Sequence, residues 1–113
     1  MPIVRATASL PVQVSEGVTE TLVAGPSVFG APVPMRMRHV ALEPGRTAAL
    51  DASAGEVMVY VAAGSGTVAV GAEHHDLAPE SMAWIDPPEP FELVAGDEGL
   101  VVLVTEAPGP DLE

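Results

Sequence analysis

His39 is a side chain of this 113-residue sequence that could do acid–base chemistry, and its strand position decides whether it can. The run Met35–Leu42, which reads MRMRHVAL, is typical of a β-strand, in which successive side chains point to opposite faces. Met37 and His39 then share one face, and Arg36 and Arg38 share the other. An imidazole that faces an enclosed site could serve as a general acid or base.

The two orientations of this strand lead to two different chemistries. With the other face inside, Arg36 and Arg38 could clamp a carboxylate or a phosphate, because guanidinium groups bind these anions through paired hydrogen bonds. Burying two cations without an anion is costly, whereas a face of Met, His and Ala is easily buried. The sequence therefore favours His39 inside and the arginines outside. The arginine pair stays open as the alternative, an anion-binding site.

The remaining polar candidates give weaker signals. His74 and His75 are neighbours, so on a strand they point to opposite faces and cannot bind one metal ion together. Ser53 has no Gly-x-Ser-x-Gly turn around it, which argues against a nucleophilic serine. The sequence contains no Cys and no Lys, and this excludes thiolate metal sites and Schiff-base catalysis.

The composition limits the class of protein. Hydrophobic residues make up 48% of the sequence and charged residues 18%, as expected for one globular domain. Four Arg against 16 acidic residues give a net charge of −12, which argues against binding to nucleic acids and to anionic membranes. No apolar run is long enough to span a membrane, and the first residues do not resemble a secretion signal, so we expect a cytoplasmic protein.

Short apolar runs separated by Gly and Pro predict the elements that position these residues. The 11 Gly and 12 Pro fall between strand-like runs, and no segment keeps a helical period over three turns. The predicted strands are residues 3–7, 12–14, 20–23, 35–42, 48–50, 57–62, 66–70, 74–77, 81–85, 91–94 and 100–105. So many strands in a short chain must close into a barrel or stack as a sandwich, and either could form a homodimer.

The spacing of these residues resembles the cupin superfamily of jelly-roll β-barrels. The first cupin motif is Gly, five residues, His-x-His, three or four residues, Glu, six residues and Gly. In this sequence the corresponding positions are held by Gly45, Asp51, Ser53, Val57 and Gly64. The second motif ends in Pro-Pro-Gly-x-Pro-His, and here the run DPPEPF places Phe91 at the His. The resemblance implies an all-β, cupin-like barrel in residues 35–105, with an N-terminal arm in residues 1–34 and an acidic tail in residues 106–113.

The ligand positions of the two motifs differ from those of metal-binding cupins. Transition metals are bound by imidazole and carboxylate donors, and Val57 and Phe91 supply neither. Asp51 alone cannot hold an ion, so we expect no metal and no cofactor. The resemblance places Asp51 at the cavity, where it could act with His39 as an acid–base pair. The alternative is that this aspartate caps a turn.

An apolar wall is the last feature that the resemblance implies. The expected pocket-lining residues are Met37, Ser53, Val57, Tyr60, Met82, Trp84 and Phe91. They could form a pocket for a small organic molecule or fill the barrel interior. The first hypothesis is a metal-free cupin that binds such a molecule and, if it is an enzyme, catalyses an isomerisation, epimerisation or cyclisation. The second is a non-catalytic binding or sensing module, and the third is a packed dimeric scaffold.

Overall fold

The chain folds into antiparallel β-structure with one short helix. The computed structural model describes Ala6 and residues 10–31, 33–50, 56–85 and 89–107. The helix α1 (Pro26–Phe29) begins with a proline and ends at Gly30, whose left-handed backbone closes the last turn. The strands are β1 (Gln13–Ser15), β2 (Val18–Ala24), β3 (Arg36–Leu42), β4 (Thr47–Leu50), β5 (Glu56–Val70), β6 (Glu73–Leu77), β7 (Met82–Ile85) and β8 (Phe91–Ala107). No helix among the described residues is long and apolar enough to cross a membrane.

Two long strands organise the sheet. The strand order is β1-β2-β3-β8-β5-β6, with β4 also paired to β8 and β7 also paired to β5. Each long strand changes neighbours along its length: β5 pairs first with β7 and then with β6, whereas β8 pairs first with β4 and then with β3. The sheet therefore folds back on itself as a jelly roll, and its two halves share one core.

Glycines allow the long strands to bend between the two halves. The sequence predicted separate strands over residues 57–62 and 66–70, and over 91–94 and 100–105, but the structure joins each pair into one strand. A Cβ atom on Gly64 would lie 2.1 Å from the carbonyl oxygen of Gly99, so only glycine fits at this crossing. The other strands agree with the prediction to within two residues, except the one at residues 3–7, of which the structure describes only Ala6.

Aliphatic side chains fill the interior of the folded sheet. Val57, Val59 and Val61 of β5 are fully buried and alternate with more exposed neighbours such as Met58. The same alternation in β8 buries Leu100 together with the valines at positions 102 and 104. This period of two identifies the inner and outer faces of the sheet, and these faces determine where each candidate site residue points.

Candidate functional site

Charged side chains lie on the inner face of the sheet, next to the core. Glu106 of β8 is paired with Arg36 of β3 on one side and with Val57 of β5 on the other. Directly paired residues of antiparallel strands share a face, and Val57 is fully buried, so this row points inward. Arg38, two residues beyond Arg36, is also buried. Glu106 itself has no exposed surface.

All the hydrogen bonds that the structure shows to the Glu106 carboxylate are accepted by one of its two oxygens. Its Oε1 atom accepts from Nη2 of Arg36, from Nε of Arg36 at 3.1 Å, and from Nη2 of Arg38 at 3.2 Å. The Oε2 atom is also buried and has no hydrogen-bond partner among the described residues. Burying an ion costs several kcal/mol unless it is paired, so the two guanidinium groups are what allow Glu106 to lie inside.

Glu20 of β2 completes this group, which we call the arginine cluster (Glu20, Arg36, Arg38 and Glu106). Nη1 of Arg38 donates to Oε1 of Glu20 at 3.4 Å, and the Glu20 side chain is 32% exposed. Three members, Glu20, Arg36 and Arg38, line a cavity of about 500 Å³, here called the arginine cavity. Ligand pockets typically measure about 300–1,000 Å³. The other lining residues are Leu10, Pro11, Gln13, Leu22, Ser27 and Val28.

The structure reverses the predicted orientation of β3. Val40 and Leu42 are buried on the same face as Arg38, whereas His39 is half-buried on the opposite, outer face with Met37. The prediction that His39 and Met37 face the interior is therefore wrong. It assumed that buried arginines would have no anion, but the chain supplies two carboxylates of its own, Glu106 from β8 and Glu20 from β2.

The expected apolar pocket residues separate into two groups, and none of the described ones lines the arginine cavity. Val57 and Phe91 are 0% and 3% exposed and belong to the packed core. Tyr60 is half-buried on the outer face, where Met82 and Trp84 are 61% and 62% exposed. Asp51 and Ser53 lie outside the described residues, so their predicted roles remain predictions.

The described positions of the cupin metal ligands do not fit a metal ion. Val57 and Phe91 present only hydrocarbon to the interior, and the cross-strand row of Val57 also contains the guanidinium of Arg36. Within the described ranges, no group of three His, Asp or Glu side chains is arranged to hold an ion. We therefore assign no step of the chemistry of this chain to a metal at these positions.

A second, smaller cavity of about 170 Å³ lies beside β6 and β7. It is lined in part by Glu73, His75, Trp84 and Glu89. Nε2 of His75 lies 3.7 Å from Oε2 of Glu73, and both side chains are largely exposed. His74 and His75 pair with successive residues of β5, so they point to opposite faces as the sequence predicted.

The comparison with known proteins shows a match in fold but no match to a sequence family. No family model matches the sequence, and no curated protein matches it. A deletion variant of Bacillus subtilis oxalate decarboxylase superposes with a TM-score of 0.84 at 15% identity, over 96% of this chain and 30% of that chain. KdgF from Halomonas sp. gives 0.73 at 18% identity, over 94% of each chain. Ectoine synthase from P. lautus gives 0.77 at 15% identity, over 96% of this chain and 80% of that chain.

All three of these proteins have the cupin fold. This chain has the cupin fold. The resemblance in glycine and proline spacing is thus confirmed at the level of architecture, although this chain spans only 30% of the oxalate decarboxylase chain. At these sequence identities the comparison establishes the fold alone.

Two residues of the arginine cluster, Glu20 and Glu106, were missed by the sequence-based predictions. The signal for Glu106 is the alternation in LVVLVTE, which places this glutamate on the same face as the buried Val102 and Val104. The signal for Glu20 is similar, since it shares a face with Leu22 in β2. The predicted acidic tail begins at Glu106, whereas β8 continues to Ala107 and buries Glu106 completely.

Proposed function

We propose that this chain is a small cupin that binds an organic molecule carrying a carboxylate group, and that it does so in the arginine cavity. The observation that carries the proposal is the pair Arg36 and Arg38, which lines one cavity of about 500 Å³. Nη1 of Arg36 has no hydrogen-bond partner among the described residues, so this guanidinium keeps N–H donors for a ligand. Arginine forks bind carboxylates in a planar, paired geometry.

The remaining walls of the arginine cavity suit the rest of such a molecule. Leu10, Leu22 and Val28 contribute apolar surface. Binding pockets for small molecules combine a mainly apolar lining with a few polar groups that fix the orientation of the ligand. The compared proteins support only the coarser part of the proposal, since oxalate decarboxylase and ectoine synthase are named for small organic molecules.

The test of binding uses the low number of arginines. With four Arg and no Lys, the side-chain Nε–Hε signals in a nuclear magnetic resonance spectrum are few. On titration with carboxylates of about three to six carbons, we expect the signals of Arg36 and Arg38 to shift and that of the exposed Arg46 to stay. The matching carboxamides should produce no such shift.

Matched variants sharpen this test. Arg38→Lys keeps the charge and loses the planar fork, so it should weaken binding at least about tenfold, whereas Arg46→Lys should not change it. Carboxylates that leave Arg36 and Arg38 unshifted, or that shift Arg46 equally, would contradict the proposal.

A second candidate function is acid–base catalysis in the same cavity, with Glu20 in the role predicted for His39. The Glu20 carboxylate lies beside Arg38 at the cavity wall, where it could remove a proton from the carbon next to the ligand carboxylate. Exchange of that hydrogen for deuterium in heavy water, seen with the wild type and lost in Glu20→Gln, would support catalysis. Binding without exchange would support the non-catalytic module.

We further propose that two copies of the chain pair through the outer face of the sheet. Three rows of residues paired across the strands define this outer face. The first row contains Met37, Thr105, Met58 and Trp84, and the second contains Thr21, His39, Leu103, Tyr60 and Met82. The third contains Val14, Thr19, Ala41 and Val101. The large hydrophobic side chains that are exposed in the described residues are Val12, Val14, Met58, Met82 and Trp84. Strand pairing places four of them, Val14, Met58, Met82 and Trp84, on this one face, and such a concentration is typical of an interaction surface.

Charge favours a second copy as the occupant of the outer face. The three rows contain no Asp, Glu or Arg, although the chain carries a net charge of −12. Two such chains repel each other wherever carboxylates face carboxylates. They can approach along this face with less of that repulsion, because the three rows carry no carboxylate and the neighbouring Glu56, Glu73 and Glu89 lie beyond them.

A further inference from the structure

We infer that the ligand of the arginine cavity carries a hydrogen-bond donor, in its best-matched form an ammonium group, close to its carboxylate, and that Glu20 recognises this donor. The inference rests on the proposed function and deepens it from carboxylates in general to small zwitterions of the amino-acid type. Three properties of the arginine cluster support it: the charges, the burial and the unequal strength of the contacts.

The charges in the arginine cluster are balanced. Arg36 and Arg38 contribute two positive charges, and Glu20 and Glu106 contribute two negative ones. Among the described residues, the other polar side chains that line the cavity, Gln13 and Ser27, are uncharged. A dicarboxylate or a phosphate would therefore add uncompensated negative charge, whereas a zwitterion adds none.

The two carboxylates of the cluster are held with different strength. Glu106 is fully buried and accepts three hydrogen bonds, two from Arg36 and one from Arg38. Glu20 is 32% exposed and makes a single 3.4 Å contact with Arg38, which is long for a charge-assisted hydrogen bond. Glu20 is thus the carboxylate that a ligand can separate from its arginine.

A ligand carboxylate that reaches Arg38 competes with Glu20 and places two like charges side by side. A donor group on the ligand resolves this conflict, because Glu20 exchanges its weak contact with Arg38 for a hydrogen bond to the ligand. Hydrogen bonds to charged groups contribute more than neutral ones, so an ammonium donor satisfies Glu20 better than a hydroxyl. The apolar side chains of Leu10, Leu22 and Val28 then contact the hydrocarbon part of the ligand.

The experiment compares ligands that share a carbon skeleton and differ only at the carbon next to the carboxylate. The probes are leucine, 2-hydroxy-4-methylpentanoate and 4-methylpentanoate, with alanine against propanoate and phenylalanine against 3-phenylpropanoate to vary the size. Affinities are read from the arginine Nε–Hε signals of the full chain. For at least one skeleton we expect the amino acid to bind about tenfold or more tightly than the unsubstituted acid, with the hydroxy acid of the leucine series between its two partners.

Variants assign the preference to Glu20. In Glu20→Gln the advantage of the amino acid should fall to within about twofold, whereas Glu92→Gln, an exposed change on β8, should leave it intact. Unsubstituted acids that bind as tightly as amino acids on every skeleton would overturn the inference and leave the proposed function standing. If no carboxylate of any kind shifts Arg36 or Arg38, both the inference and the proposed function are wrong.

Discussion

Glu106 is the residue on which the inner site depends. It lies between Arg36 and the core valine at position 57, fully buried, and it holds both arginines of the cluster through one oxygen. An ion pair of this kind adds little net stability compared with an apolar replacement, because desolvation offsets the attraction. We interpret it as a device that fixes the two guanidinium groups at the cavity wall.

Removing the charge of Glu106 alone should destabilise the protein. In Glu106→Gln the two arginines stay inside without their shared anion, and breaking a buried pair in this way costs about 3–5 kcal/mol. Urea unfolding followed by circular dichroism measures the change. The exposed Glu92→Gln on the same strand is the control, expected within about 0.5 kcal/mol of the wild type.

Replacing Arg36, Arg38 and Glu106 together separates stability from binding. The variant Arg36→Met, Arg38→Met, Glu106→Leu removes the charges and keeps similar volume, so it should fold with a stability within about 2 kcal/mol of the wild type or above it. It should no longer bind carboxylates. A triple variant as unstable as Glu106→Gln would mean that side-chain shape, and not unpaired charge, causes the loss.

The orientation of β3 could not be derived from its own residues. Alternation correctly placed Arg36 and Arg38 on one face, but the choice of face depended on whether an anion was near. That anion is Glu106, which lies 70 residues after Arg36 and becomes its neighbour only through strand pairing. Local patterns carry no information on such a contact, and the cost of burying unpaired arginines therefore favoured the wrong face.

At the scale of the elements, the bends of the two long strands set the shape of the sheet. The register between β5 and β8 shifts between Val61 and Ala63 and again between Gly64 and Gly66. At both glycines a Cβ would lie 2.1 Å from a backbone carbonyl oxygen of β8. In the sequence these glycines indicated turns between separate strands, because the close approach of a distant backbone cannot be seen locally.

Gly64 and Gly45 have nearly equal backbone angles, so a comparison of their alanine variants distinguishes backbone strain from steric clash. Gly64 has φ of 77° and Gly45 has φ of 75°, but a Cβ on Gly45 would meet no atom within 4 Å. Gly45→Ala should cost only the left-handed strain, about 1–2 kcal/mol. Gly64→Ala adds a clash with the carbonyl of Gly99, so we expect a total of about 3 kcal/mol or more. Equal losses in urea unfolding would contradict this account of the crossing.

At the scale of the whole molecule, the spacing of glycines and prolines was enough to indicate the cupin architecture. Gly45 and Gly64 stand at the motif positions because the fold needs a turn at one and a backbone crossing at the other. The apolar residues Val57 and Phe91 at the motif's ligand positions were also informative, since both belong to the core of this chain. The arginine cavity could not be predicted in this way, because β2 and α1 contribute to its wall from outside the motifs.

The proposed pairing of two copies is testable through Trp84, the only tryptophan of the chain. We expect a dimer in light scattering, and an emission maximum that moves to shorter wavelength with rising protein concentration as Trp84 leaves water. Trp84→Arg should raise the dimer dissociation constant at least about 30-fold, since the exposed aromatic side chain of the outer face is lost and a charge is buried.

The control for this substitution is Ala72→Arg, which adds the same charge at an exposed turn away from the outer face. Both variants lower the net negative charge by one, so a difference between them reports the location of the charge. A wild type that stays monomeric up to high concentration, or equal weakening by both variants, would contradict pairing through the outer face.

The inward position of Arg36 and Arg38 also determines how the molecule behaves as a polyelectrolyte. Half of the four cations of the chain are committed to the arginine cluster, which leaves Arg5 and Arg46 against fourteen acidic residues other than Glu20 and Glu106. The exterior is therefore a polyanion surrounded by counterions. Dissolved salt shortens the range of its self-repulsion to about 10 Å at 0.1 M. Because the outer face is uncharged, contact between two copies along it should strengthen as salt is added, the reverse of an interface built on ion pairs.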